Sequence, residues 1–308
     1  MAADVGLVAE RRFRAMGTDA HVVVNGPEAE AAVDTAVARV ADLEQRWSRF
    51  LEHSEISRLN AHSGEPTVVS ADTFGLVEKA VFAWQLTGGA FDPTMLSALV
   101  ALGYDRTFAS VDRSGPGVDT AERTPKVRAT GAADIELDRV SGTVMLPQGV
   151  GFDPGGIGKG AAADLVTGEL VAAGAWGAMV NLGGDLRVRG VPPDGLEWVI
   201  SVREPAVQPM PLATLRLQDG AVATSTTLRR RWPTTGGEHH HLLDPRTSLP
   251  HEEAADLVTV VAGEAWWAEV CATALIGYGD LDLPGQSALR VHTDGRREHL
   301  GMFERHTV

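Results

Sequence analysis

The residues best suited to chemistry lie in three stretches of the chain. The first runs Gly-Val-Gly-Phe-Asp-Pro-Gly-Gly-Ile-Gly-Lys-Gly over 149–160, ahead of a helical pattern beginning at Ala161. Such a loop presents unpaired backbone amides at a helix N-terminus, where phosphate oxygens find both donors and a favourable dipole. Glycine lets the backbone approach a bulky anion, and Lys159 adds a point charge. The spacing is not that of a Walker A loop. Asp153 stands where the first glycine belongs, and Gly160 replaces the hydroxyl residue. Gly158, Gly160 and Ala163 satisfy a dinucleotide fingerprint, but Asp153-Pro154 separates them from the preceding strand. A tight turn feeding a closely packed helix would use the same glycines.

The second stretch is the apolar segment 264–277, where Glu269 and Thr273 stand four apart and share one helix face. A buried carboxylate needs a cation or hydrogen bonds. Two oxygens on one face suit a hard cation such as Mg²⁺, which completes its shell with water and ligand phosphates. Pairing with an arginine, with Thr273 bonded back to its own helix, is the alternative. The third stretch is His239-His240-His241 before Leu-Leu-Asp-Pro-Arg-Thr. Three adjacent histidines cannot all face one metal, but one at a strand end can accept a proton near neutral pH. Arg229–Arg231, Asn181–Asp185 with its two internal glycines, and Gly89–Thr94 with Phe91 and Asp92 are further candidates for anion or ring contacts. Cys271, among apolar neighbours, reads as an inert buried thiol.

Composition limits what these groups can be part of. The chain has 308 residues and a net charge of −14, which argues against general nucleic-acid binding. Its one cysteine rules out a disulfide framework and a Cys/His zinc cluster of usual spacing. No apolar stretch reaches the roughly 20 residues of a membrane span. The N-terminus lacks the pattern of a signal peptide, so the cytoplasm is the expected compartment.

The elements that must position these groups follow from periodicity and punctuation. Arg12–Asn25 reads as a strand and Pro27–Phe50 as a long amphipathic helix. Ser54 caps a short segment, and Ser70 or Asp72 starts a helix that stops at Gly88-Gly89. Phe91–Leu102 looks helical. Residues 113–131 read as a loop or insertion. A hairpin is expected over 135–146, a helix over 161–173, and an interrupted strand over 178–188. Further strands are expected at 198–202, 212–217, 221–225 and 257–261, with a buried helix over 264–278. Helices and strands mix without a regular βαβ alternation, which favours an α+β arrangement. A single domain over 1–308, built as two packed lobes, is the expected organisation.

In their order along the chain, these pieces resemble the ApbE-type FAD:protein FMN transferases. The resemblance rests on Met-Gly-Thr at 16–18, Ser-Glu-Ile-Ser-Arg-Leu-Asn at 54–60, Gly-Ala-Phe-Asp-Pro-Thr at 89–94 and Asp-Pro-Gly-Gly-Ile-Gly-Lys-Gly at 153–160. It continues through Asp164, Asn-Leu-Gly-Gly-Asp at 181–185, Ala-Thr-Ser at 223–225, His-Leu-Leu-Asp-Pro-Arg-Thr at 241–247 and Ala-Glu-Val-Cys-Ala-Thr-Ala at 268–274. It implies an α+β, T-fold-like architecture, with mixed or antiparallel sheets flanked by helices and a central FAD cleft. Carried over by position, Met16, Phe50, Ala90, Phe91, Asp92, Gly155, Ala161 and Leu243 would line the FAD site. The carbonyl of Gly158 and the side chains of Glu269 and Thr273 would hold Mg²⁺. The implied reaction moves FMN from FAD to a threonine of an acceptor protein and releases AMP, with His241 the candidate base.

The chain departs from the family pattern at several positions. Glu269 stands where the family commonly has Asp, and Phe50 where it often has Tyr. Thr226 and Ser248 replace glycines that usually follow Ala-Thr-Ser and Asp-Pro-Arg-Thr. A metal-dependent FAD pyrophosphatase, a non-catalytic FAD-binding protein and, more remotely, a nicotinamide dehydrogenase are the competing expectations. Product analysis or cofactor preference separates them.

Overall fold

The protein is described here by a computed structural model covering residues 7–111, 131–204, 206–234, 237–252 and 255–307. The expected insertion at 113–131 falls, except for Gly131, outside the described residues.

An eight-stranded sheet organises the molecule. Its strands, in chain order, are β1 (Val8–Ala15), β2 (Thr18–Asn25), β3 (Gly177–Leu182), β4 (Asp185–Gly190), β5 (Gly220–Thr226), β6 (Leu257–Ala262), β7 (Ser287–Val291) and β8 (Arg297–Leu300). They lie side by side in that same order, and each pairs with the next antiparallel.

Both faces of the sheet are covered, which is why β6 is buried at every position. In β6, Val258, Val260 and Ala262 point to one core while Leu257 and Val261 point to another. This is the period-2 alternation of a strand with no solvent face. On the first face pack three helices: α1 (Ala29–Trp47), α5 (Gly158–Ala172) and α6 (Ala265–Gly277). Helix α1 buries Val33, Ala36, Val40 and Leu43, one stripe at helical spacing. Helix α6 is buried almost all round, as its uniform apolarity requires. On the second face lies a two-stranded ribbon, Trp198–Val202 with Ala213–Leu217, together with Phe303.

Three further α-helices are α2 (Glu55–Ala61), α3 (Ala71–Leu86) and α4 (Leu96–Ala101). The side chains of Ser54 and Ser70 accept from the amides of Ser57 and Thr73, so both helices start at the expected caps.

Three expectations change. The interrupted strand expected over 178–188 is a hairpin of β3 and β4 that turns at Gly183-Gly184 (φ 72° and 103°). The strand expected over 12–25 is a hairpin: Met16 (φ 51°) and Gly17 (φ 68°) form a tight two-residue turn between β1 and β2. The helix expected over 91–102 begins only at Leu96, because Asp92 folds back on Thr94 and accepts both its amide (2.8 Å) and its hydroxyl (2.6 Å). Two segments not anticipated are the hairpin Arg231–Thr234 with Gly237–His240 and the edge pair β7–β8.

Candidate functional site

The turns of two hairpins meet at one end of the sheet. Met16-Gly17 joins β1 to β2, and Gly183-Gly184 joins β3 to β4. The Gly183 amide donates to the Asp19 carbonyl at 2.9 Å, and a Cβ at Gly183 would lie 2.3 Å from the Thr18 hydroxyl. Only glycine fits there. Met16 holds a left-handed conformation that few non-glycine residues adopt, and it faces a cavity of about 1210 Å³. That exceeds the space a drug-sized ligand needs, roughly 300–1,000 Å³.

Helices α5 and α6 supply the charged wall of this cavity through a reciprocal arrangement. Glu269 of α6 accepts the Gly160 amide, in the first turn of α5, at 2.8 Å. Asp164 of α5 accepts the Ala265 and Trp266 amides, in the first turn of α6, both at 2.9 Å. Each helix thus caps the other's unpaired N-terminal donors. The approach is close: a Cβ at Gly160 would lie 2.3 Å from the Ala265 carbonyl oxygen.

Lys159 sits inside the resulting cluster. Its ammonium contacts the second Glu269 oxygen and lies 2.6 Å from Asp185 Oδ2. The Asp185 and Glu269 side chains are 5% and 3% exposed. Burial opposes the charge on Lys159, but the two carboxylates outweigh it and hold the ammonium protonated above its usual range. Burial pushes the Glu269 carboxyl up to about 7, against the pull of Lys159 and the Gly160 amide. Beside the cluster, Thr273 and Ser225 share a hydrogen bond at 3.3 Å, and the other Asp185 oxygen accepts the Thr224 amide at 3.3 Å.

The opposite wall comes from the segments before α2 and around α4. Arg49 lies 3.3 Å from Asp153 and stacks on the rings of Phe50 (4.2 Å) and Tyr104 (4.7 Å). The Asp153 amide donates to the Pro93 carbonyl at 2.8 Å, which fixes the glycine loop against the Asp92 turn. Burial pushes the Asp92 carboxyl up, opposed by its bonds from Thr94, and its second oxygen is buried without a partner. Asn60 exchanges two hydrogen bonds with the Phe152 backbone, at 2.9 and 2.7 Å. Behind this wall, Phe50 and Leu243 pack on a cluster of Leu99, Leu102, Tyr104, Val111 and Trp232.

His241 faces the cavity. Burial, reinforced by Arg230, His240 and Lys159, holds its pKa well below the usual histidine value. The ring is therefore neutral at physiological pH, with Nδ1 buried and unpartnered. His240 is turned away and accepts the Leu242 amide at 3.3 Å. Burial, with Arg231 next, lowers its pKa to about 4.

Met16, Phe50, Ala90, Phe91, Asp92, Gly155, Gly158, His241, Leu243, Glu269 and Thr273 all line the one cavity. Ala161 does not. It is 3% exposed in the core beneath the first turn of α5, where it supports the loop rather than facing the space. Sequence reasoning did not find Arg49, and it did not pair Lys159 with Asp185 and Glu269. The one signal available was the isolation of Lys159 in a glycine-rich loop. Arg229 and Arg230 also line the cavity, and Arg229 is tied to buried Glu204 at 2.8 Å.

The donor set can be judged for a divalent cation on charge and atom type. Among the described residues no group of three or more His, Cys, Asp or Glu side chains forms a metal cage. The site instead offers two carboxylates, one ammonium and a neighbouring hydroxyl, all oxygen donors of the hard kind apart from the ammonium. That set suits Mg²⁺ with water or phosphate completing its shell, and does not suit zinc.

Known proteins share this architecture and sequence. The FAD:protein FMN transferase of Treponema pallidum (strain Nichols) is 29% identical over 315 residues, covering 94% of this chain and 86% of that protein. The Vibrio cholerae serotype O1 protein of the same name is 29% identical over 254 residues, covering 82% and 73%. Among solved structures, the ApbE protein of Thermotoga maritima aligns with a TM-score of 0.86 at 27% identity, over 98% of this chain and 99% of that one. The Pseudomonas stutzeri flavinyl transferase ApbE aligns with a TM-score of 0.82 at 25% identity, over 97% and 96%. The ApbE family profile matches residues 16–284, which include Met16, the glycine loop, His241, Glu269 and Thr273, and the chain belongs to the ApbE family.

Proposed function

We propose that this chain is an FAD:protein FMN transferase that moves FMN from FAD to a threonine hydroxyl of an acceptor protein and releases AMP. The observation that carries this reading is the buried Lys159–Asp185–Glu269 cluster at the N-terminus of α5, inside a cavity large enough for a dinucleotide. FAD lies along Met16, Phe50, Ala90, Phe91, Asp92, Gly155 and Leu243. The amides of the glycine loop hold its pyrophosphate. Glu269, Thr273 and the Gly158 carbonyl hold Mg²⁺, whose contribution when bound is to neutralise charge on the phosphoryl oxygens.

In the transfer, the threonine oxygen bonds to the FMN-side phosphorus while that phosphorus loses its bond to the bridging oxygen. The bridging oxygen leaves with AMP. The hydroxyl proton passes to His241, which burial keeps in the neutral form that a proton acceptor needs.

The test is mass spectrometry of a threonine-bearing acceptor incubated with FAD, Mg²⁺ and the protein. An FMN-sized mass gain with equal AMP release, lost in Glu269→Ala, is the expected result. AMP and free FMN without acceptor labelling would instead make the protein an FAD pyrophosphatase. Bound FAD with no AMP would make it a carrier.

A further inference from the structure

Glu269 has two oxygens and three claims on them. One oxygen is committed to the Gly160 amide at 2.8 Å, which caps α5. The other is held by the Lys159 ammonium. A cation drawn to Glu269 must therefore take the oxygen that Lys159 occupies, because giving up the Gly160 bond would leave a buried helix N-terminal donor unpaired. The ammonium has somewhere to go. It already touches Asp185 at 2.6 Å, and Asp185 is itself fixed by the Thr224 amide at 3.3 Å, away from Glu269's helix.

We infer that Lys159 is a built-in counter-cation of the metal site and that Asp185 is the positioning residue that receives it. Without metal, the ammonium neutralises two carboxylates that are too buried to stand unpaired. When a divalent cation takes the Glu269 oxygen that Lys159 holds, Lys159 stays inside the cavity on Asp185, at the mouth of the amide-lined loop. It keeps its charge there, next to where phosphate binds. This inference rests on the reading of Glu269 as a metal ligand. It adds a role for two residues which that reading leaves without one.

The arrangement predicts opposite effects from two substitutions on either side of the ammonium. In Lys159→Met the competitor is gone, so a divalent cation binds more tightly. In Asp185→Asn the ammonium has only Glu269 to pair with, so it competes harder and the cation binds more weakly. A change of about tenfold in each direction corresponds to a modest Coulomb term at partly screened distances. A purely structural role for the two residues would lower stability in both variants and leave cation affinity alone.

The experiment is titration of FAD-free protein with Mn²⁺, followed by the loss of its free-ion EPR signal, for wild type, Glu269→Ala, Lys159→Met and Asp185→Asn. Thermal unfolding is recorded alongside with and without the ion. Tighter binding in Lys159→Met, or weaker binding in Asp185→Asn, each by about tenfold, supports the inference. Asp185→Asn is the decisive variant should Lys159→Met fail to fold, since it leaves a neutral Lys159–Glu269 pair. Wild-type binding that is lost in Glu269→Ala but unchanged in Asp185→Asn overturns this inference and leaves the metal reading standing. Equal binding by wild type and Glu269→Ala, or none by wild type, overturns both.

Discussion

Gly160 and Thr273 show how little room the site leaves to individual residues. A methyl group at Gly160 would collide with a backbone carbonyl, not a movable side chain. Gly160→Ala should therefore cost about 1–3 kcal/mol, read as a lower urea midpoint. It should also loosen the Glu269 bond to the amide of residue 160. Thr273→Val keeps the shape and removes the hydroxyl that faces Ser225. It should leave the urea midpoint nearly unchanged while slowing acceptor labelling by about 10- to 100-fold, the range seen when a partner in a metal site is lost. A large stability loss with normal labelling would remove Thr273 from the metal site. At this scale the sequence was informative about which residues matter and nearly silent about how they pair. Glu269 and Lys159 are 110 positions apart, and no periodicity links them. The left-handed Met16 was equally invisible, because its conformation is imposed by the hairpin and not by local preference.

The elements tell a different story, since their ends were readable wherever a side chain caps its own helix. Ser54 and Ser70 were visible for that reason. Helix α6 has no such residue at its start. Its cap is Asp164, which lies on another helix and so could not be read locally. Asp164→Ala should cost about 1–3 kcal/mol by orphaning two amides, and should weaken metal binding as α6 shifts. Normal metal affinity in a destabilised variant would confine Asp164 to stability. Glu55 joins α2 to the cap of α3 by accepting the Ser70 amide at 3.0 Å and hydroxyl at 2.8 Å. Burial raises its carboxyl, but bonds from Thr73 and Ser70 and the charge of Arg46 prevail and hold its pKa below the usual glutamate value. A depressed carboxyl pKa adds stability that is present above the unfolded value and lost as pH falls through the folded one. Glu55→Gln should thus lower the urea midpoint at pH 7 and make little difference near pH 3. An equal difference at both pH values would show that the charge is not what matters. Strands β7 and β8 escaped the sequence reading although Asp294-Gly295 marks their turn, because runs of five and four residues are too short to show alternation.

Across the whole molecule, the cavity is lined by residues from Arg12 to Thr273, contributed by strands of the main sheet, by α1, α4, α5 and α6, and by the Trp198–Val202 strand of the second face. A ligand that fills it should therefore stabilise the fold as a unit. FAD at about 100 times its dissociation constant should add about 2.7 kcal/mol, seen as a rise in unfolding temperature. FMN or AMP alone should give less at equal concentration, since each spans only part of the walls. No shift with FAD would remove the cavity as its site.

The meeting of the Met16-Gly17 and Gly183-Gly184 turns at one sheet end carries a last consequence, for how such chains can change in length. A residue inserted in either turn displaces the other, since the Thr18 side chain lies where a Cβ at Gly183 would project. The far end of the sheet is just as tight, because a Cβ at Gly190 would lie 2.2 Å from the Trp176 carbonyl oxygen and the Asn25 side chain donates to the carbonyls of Val191 and Pro192. The Gly295 turn between β7 and β8 is different, since a Cβ there would meet nothing within 4 Å. A scan of single-residue insertions, scored by soluble yield, should show both rims of the central strands frozen and length changing freely only at that outer hairpin.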